Sequence, residues 1–180
     1  MENKVKNAGT AKLEVAGKTV DLPVYSGTHG PNVIDIRKLY TETDHFTLDP
    51  GFTSTGSCES QITYIDGDEG ILLHRGYPIE QLAEKSNYIE LCYLLLNGQL
   101  PSKSEYDAFW REIRQHTLLH TQQDRFFDGF RRDSHPMAML TGAVGGMAAF
   151  YPGAMGNEDP EERRISSIRL IAKLPTLAAR

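Results

Sequence analysis

The run from Ile62 to Pro101, ITYIDGDEGILLHRGYPIEQLAEKSNYIELCYLLLNGQLP, leaves this chain few ways to fold. It reads as a strand, a tight acidic turn, a second strand and two capped helices with almost no slack between them. Asp66-Gly67 and Glu69-Gly70 bracket the reversal, because glycine accepts the positive φ that a tight hairpin demands. Pro78 suits a first helical position, where a missing N–H loses nothing. Asn87 with Glu90 three residues on begins the next helix, and Gly98 closes it. Ile89, Leu91, Cys92, Tyr93, Leu94, Leu95 and Leu96 leave that helix no polar face, which predicts burial in a larger body.

A length of 180 residues allows one substantial core or two small units. The formal charge of −5 and the scattered basic residues favour neither a nucleic-acid binder nor a membrane-surface protein. No apolar run approaches the roughly 20 residues needed to span a bilayer, and no secretory leader is evident, so a cytoplasmic protein is expected. Cys58 and Cys92 lie far apart without CxxC spacing, which supports neither a disulfide framework nor a zinc site.

Before the central run, Met1 to Gly9 is polar and without period and is expected to be a mobile terminus. Leu13, Val15, Val20, Leu22 and Val24 alternate around Gly17-Lys18 and predict a hairpin with one wet face. Val33, Ile34, Ile36 and Leu39 fit a short helix or a strand. Asp49-Pro50-Gly51 is a reversal followed by small hydroxyl residues. The expected organisation is therefore mainly α, with a small β-rich leader over residues 1–68 and helices over 69–180.

After Pro101, Ser102 with Glu105 forms a capping-box pattern, and Tyr106, Phe109, Trp110 and Ile113 recur at helical spacing. Phe126, Phe127 and Phe130 mark a shorter helix. Asp133 or Ser134 is expected to cap the next, from about Pro136 to Tyr151, whose interior Gly142, Gly145 and Gly146 each cost about 1 kcal/mol against alanine. Close approach of another helix backbone would compensate. Pro152-Gly153 and Gly156-Asn157 predict a loop. Asp159 and Pro160 then open a helix with Ile165, Ile168 and Ile171 inward, which Pro175 bends or stops.

The run DGDEGILLHRGYPIEQLAEKSNYIELCYLLLNGQLP resembles the amino-terminal signature of citrate synthases. DPGFTSTGSCES, residues 49–60, resembles the segment that precedes it in the hexameric Gram-negative kind, and RRDSHPMAML, residues 131–140, resembles a third family block. The similarity runs from about Leu13 to the last residue. It implies the first helices of the large domain and a parent activity that joins acetyl-CoA to oxaloacetate, releasing citrate and CoA. It also implies self-association as a dimer or hexamer, with the glycine-rich helix near the dimer contact. Two alternatives stand beside this reading: a non-catalytic nucleotide-responsive or oligomerisation module, and a 2-methylcitrate synthase that uses propionyl-CoA.

The condensation needs a base for a weakly acidic proton and donors for an enolate oxygen. In the family an aspartate and two histidines supply these, in segments that would follow Arg180, so no catalytic residue is assigned and the chain alone is expected to be inactive. His135 at a helix start is read as a capping residue. His116 and His120, four apart, would share a face of a continuing helix, but HTLLH lacks the glutamate of the zinc-protease pattern. Asp66, Asp68 and Glu69 lack calcium-loop spacing. No metal or resident cofactor is expected. Arg169 and Lys173, four apart on the presumed outer face of the last helix, repel by about 0.2–0.5 kcal/mol, a penalty that a bound anion would remove. The allosteric NADH site of the hexameric citrate synthases maps by resemblance onto His116, Thr117, Tyr151, Arg169 and Lys173. Two positions depart from that pattern: Gln115 replaces a basic residue and Leu118 a methionine.

Overall fold

The central hairpin forms where the glycines allow it. A computed structural model describes residues 5–151, 153 and 158–180 of the chain, so Pro152, Gly156 and Asn157 of the expected loop, and the first four residues, lie outside the described residues. The chain divides into two compact units, one ending at Gln99 and the other running Leu100–Arg180. Helices make up the second, and the first combines two small sheets with a short helix between them and two more helices after them.

In the first unit, β1 (Lys6–Val15) and β2 (Lys18–Ser26) pair antiparallel across Ala16-Gly17, both at positive φ. The expected one-sided burial holds on β2, where Val20 and Leu22 are buried, but not on β1, where Leu13, paired with Val20, is exposed. The strand begins at Lys6, so residues 6, 7 and 9 are paired with β2 and this part is not a mobile terminus. A register shift between Asn7 and Gly9 lets the polar start continue the ladder. The segment that fitted either class supplies both, a short β3 (Val33–Ile34) on β2 and then helix α1 (Leu39–Thr43).

The second sheet joins β4 (Thr63–Asp66), β5 (Ile71–His74) and β6 (Tyr77–Pro78). Asp66 Oδ1 accepts from the Glu69 amide at 3.1 Å, and Gly70 takes the left-handed φ of 66°. Pro78 is the N-cap of α2 (Ile79–Lys85), one place earlier than expected. Asn87 caps α3 (Tyr88–Asn97) through the Glu90 amide, and Gly98 ends it at φ 89°. The apolar composition of α3 predicts complete burial, but only Leu94 is fully buried and Leu96 is exposed. Arg75 ties sheet to helix: its Nη2 donates to the Leu95 carbonyl at 2.7 Å and Nη1 to that of Gln61 at 3.2 Å. The Leu95 carbonyl is one of those at the end of α3 that lack an intrahelical donor, and Gln61 leads into β4.

In the second unit, α4 (Lys103–Gln115) starts with both arms of the capping box, between Ser102 and Glu105. It buries Phe109 and Ile113, while Trp110 stays exposed. After a 3₁₀ turn at Thr121–Gln123, α5 (Asp124–Asp128) carries Phe126 and Phe127. The next cap is His135 and not Asp133 or Ser134: its Nδ1 accepts from the Met137 amide at 3.1 Å. Helix α6 (Pro136–Gly146) passes into a 3₁₀ turn, Met147–Phe150, so the expected single helix to Tyr151 is two pieces. Its glycines answer to different neighbours. A Cβ on Gly142 would meet the Phe126 ring at 3.2 Å and Phe130 at 3.4 Å, whereas one on Gly145 would meet nothing within 4 Å. The close partner is a pair of aromatic rings where another helix backbone was expected.

Helix α7 (Pro160–Ala178) is capped by Asp159, and Pro175 lies within it without ending it. The missing proline N–H leaves one rung unmade. Ile168 and Ala172 are buried, and Leu177 joins Ala143 and Met147 in a core that Leu119, Phe127, Leu140, Val144 and Tyr151 flank. Arg164 bridges α7 to α4, donating to Glu112 at 3.0 Å and to Glu161. No helix among the described residues is long and apolar enough to cross a membrane.

The Arg75 staple joins three segments of the first unit through one side chain. Arg75→Met is expected to destabilise the chain by about 1.5–3 kcal/mol, the usual worth of hydrogen bonds to a charged donor. A urea midpoint unchanged from wild type would contradict that assignment.

Candidate anion site at the end of helix α4

The last carbonyls of a helix lack intrahelical donors and carry the negative end of its dipole, so a cation is favoured there. Helix α4 ends at Gln115 with His116 as C-cap, and the chain then turns through Thr117 and Leu118. Lys173 of α7 fills the demand. Its Nζ donates to the His116 carbonyl at 2.7 Å and to the Leu118 carbonyl through a short contact. Thr176 Oγ1 donates to the Thr117 carbonyl at 3.1 Å, and Thr117 Oγ1 to that of Arg114, also at 3.1 Å. Lys173, Thr176 and Arg169 fall on one helical face of α7 at i+4, i+7 and i.

Tyr151 completes the arrangement. The Arg169 guanidinium carbon lies 4.6 Å from the centre of its ring, and Lys173 Nζ lies 5.4 Å away. Each is a cation–π contact worth about 0.5–2 kcal/mol depending on desolvation. All five residues that resemblance assigned to the NADH site, His116, Thr117, Tyr151, Arg169 and Lys173, therefore come together. The expectation that both cations stand on an outer face is corrected. Lys173 is only 3% exposed, because its ammonium is drawn onto the orphan carbonyls. Two charge-assisted hydrogen bonds at about 1.5–3 kcal/mol each outweigh an i,i+4 repulsion of about 0.2–0.5 kcal/mol, so no anion is needed to explain the pair. Arg169 is different: its Nε is buried without a hydrogen-bond partner among the described residues.

Burial lowers the His116 pKa below its ordinary value of 6.5, and Arg169 and Lys173 lower it further, against an opposing pull from Glu112. The imidazole is thus neutral at physiological pH. His120 takes no part. Helix α4 stops before it, and its Nδ1 caps the following 3₁₀ turn while its ring stacks on Phe150 at 4.9 Å. Sequence reasoning passed over Arg111 and Arg114, which with Asp107, Trp110 and Gln115 line an open depression of about 460 Å³ along α4. Arg114, a basic residue in the last helical turn, sits one place before Gln115 and was the available signal.

A family model described as "Citrate synthase, C-terminal domain" matches residues 51–180. The chain belongs to the citrate synthase family. The citrate synthase of Thermotoga maritima is similar at 30% identity and a TM-score of 0.62, over 74% of this chain and 34% of that one. That of Pyrobaculum aerophilum matches at 25% identity and a TM-score of 0.62, over 98% of this chain and 39% of that one. The Thermoplasma acidophilum citrate synthase, solved in a ternary complex with carboxymethyl coenzyme A and oxaloacetate, shares the fold at 23% identity and a TM-score of 0.66, over 74% and 36%. The mainly helical fold with a β-rich leader is thus a citrate synthase fold, and the chain spans 34–39% of the length of these structures.

Because the folded chain of this citrate synthase family member favours neutral His116, acid protonates the unfolded chain first. Stability from this group is complete above pH 6.5 and is lost as the pH falls from 6.5 through the lower folded value. NMR titration is expected to find the His116 midpoint below 6.5 and to see it rise when pyrophosphate, a negative neighbour, is added. A midpoint at or above 6.5 without anion would contradict the described surroundings.

Proposed function

We propose that this chain is the amino-terminal part of a citrate synthase that condenses acetyl-CoA with oxaloacetate and water, giving citrate and CoA in the cytoplasm. The family match over residues 51–180 carries this reading. The family's aspartate base and histidine donors have no counterparts among the residues assigned here, so this chain by itself is read as inactive. We further propose that it comes from the hexameric Gram-negative kind, for which residues 49–60 and the convergence of five effector-site positions speak. On that reading the exposed side of α6, with Met137, Thr141 and Gly145, is the face offered to a second subunit.

The regulatory reading is NADH binding at the end of α4. Tyr151 and Arg169 offer a ring and a fork of donors, a combination suited to a nucleotide phosphate near an aromatic face. Arg114, one residue before Gln115, lines the depression along α4 with Arg111 and is not among the residues that meet at Tyr151.

Two measurements test these proposals. Purified chain given acetyl-CoA and oxaloacetate is expected to release CoA at the background rate, whereas the citrate synthase that carries this segment turns over; release above background from the chain refutes its inactivity. NADH fluorescence is expected to change on titration with that full-length enzyme at low salt, and an unchanged signal at millimolar protein removes the effector reading.

A further inference from the structure

We propose that β1 is a pairing edge: it joins antiparallel to β1 of a second copy of this chain, across a two-fold axis at Leu13. It depends on neither the catalytic nor the effector reading. β1 is an outer strand of its sheet, and its residues are exposed except for the half-buried Ala11 and Val15. An open strand edge presents a row of unpaired N–H and C=O groups. One proline decides which groups those are. Thr10 stands opposite Pro23, which has no N–H to give, and the Pro23 carbonyl accepts from the Asp35 amide on its far side at 2.8 Å. Thr10 and Pro23 are therefore not a hydrogen-bonded pair, so Thr10 turns its backbone groups outward, and by alternation Lys12 and Glu14 do the same. The register shift between Asn7 and Gly9 interrupts that alternation, which leaves a regular edge from Gly9 to Val15.

Side chains choose the register and the occupant. Leu13 lies opposite Val20 and Ala11 opposite Leu22, so these residues share the face that is buried on β2. Leu13 itself is 37% exposed, so the apolar face runs past its cover onto β1. With Leu13 opposite its own copy, Ala11 meets Val15 on either side, and the apolar row continues across the junction. On the other face the same register sets Lys12 opposite Glu14 twice, and those residues exchange the outward hydrogen bonds. Neither has an ion pair among the described residues of its own chain. An axis at Lys12 or at Glu14 opposes like charges, and one at Ala11 leaves both charges without a counterpart. β3, the other edge of the sheet, is two residues long and offers no comparable ladder. Residues 11–15 of each copy make a small contact, so this association is weak and depends on concentration.

The test uses the intact chain. In wild type, amide exchange at Lys12 and Glu14 is expected to slow roughly tenfold between micromolar and millimolar protein, while that of Leu13, turned toward β2, changes little. With Cys58→Ser as background, mild oxidation is expected to couple Leu13→Cys to itself roughly tenfold faster than Thr10→Cys, whose two copies stand well apart in this register. Lys12→Glu, which opposes two carboxylates at both ends of the junction, is expected to weaken association roughly tenfold, and adding Glu14→Lys to restore it. The proposal is overturned if the Lys12 and Glu14 amides exchange equally fast at both concentrations, even in a chain that self-associates, because another face then makes the contact. It is also overturned if Thr10→Cys or Lys12→Cys couples as fast as Leu13→Cys, or if the charge swap stays as weak as Lys12→Glu. Coupling of Leu13→Cys to Val33→Cys in a mixture, and not to itself, means head-to-tail addition through β3 and overturns the two-fold. The wild-type exchange measurement needs no variant, so it decides even where a substitution unfolds the chain.

Discussion

The second unit hangs on one ammonium group. Lys173 is almost fully buried, a state that a charged side chain reaches only when its donors are satisfied. The donors go to carbonyls released by the end of α4, so the place where that helix stops and the place where α7 must lie are one problem with one solution. Ile168 and Ala172 bury the neighbouring face of α7, and Arg164 clasps Glu112 a turn and more away. Apolar contact supplies most of the attachment, while the lysine supplies register: sliding α7 by one residue would bury the charge against nothing.

That division explains which parts of the chain were legible in its sequence. Caps read well. Asn87, Gly98, Ser102 with Glu105, and Asp159 all act as their residue types suggest, because a cap is a contact between near neighbours in sequence. What failed was decided at a distance. Lys173 was placed outside by its type, and only carbonyls 55 and 57 residues earlier bring it in. The α6 cap is a local exception: among neighbouring candidates His135, and not Asp133 or Ser134, takes the place, its ring nitrogen accepting from the Met137 amide. The identities of the five proposed effector residues came from resemblance; composition and periodicity alone would not have united a helix end, a turn and a tyrosine more than thirty residues on.

The glycines of α6 make a similar point about local rules. All three interior glycines weaken a helix equally by propensity, but their surroundings separate them. Gly142 is fitted to the edges of Phe126 from α5 and of Phe130 just after it, so a side chain there presses on both rings. Gly145 has open space around it and leaves a smooth strip on the helix. One glycine is thus spent on packing within the unit and another shapes its surface.

Pro175 gives α7 a seam. The carbonyl one turn earlier lacks its amide partner, so the final turn is joined to the rest of the helix by fewer rungs than its length suggests. That turn nevertheless carries Thr176, bonded to the Thr117 carbonyl, and Leu177, sunk in the core. Its attachment is consequently sideways, to other elements, more than lengthwise along its own axis. A load on that last turn would therefore strain the 117 turn and the Ala143–Met147 core before it unwound the body of α7, which makes the turn a lever on the proposed site.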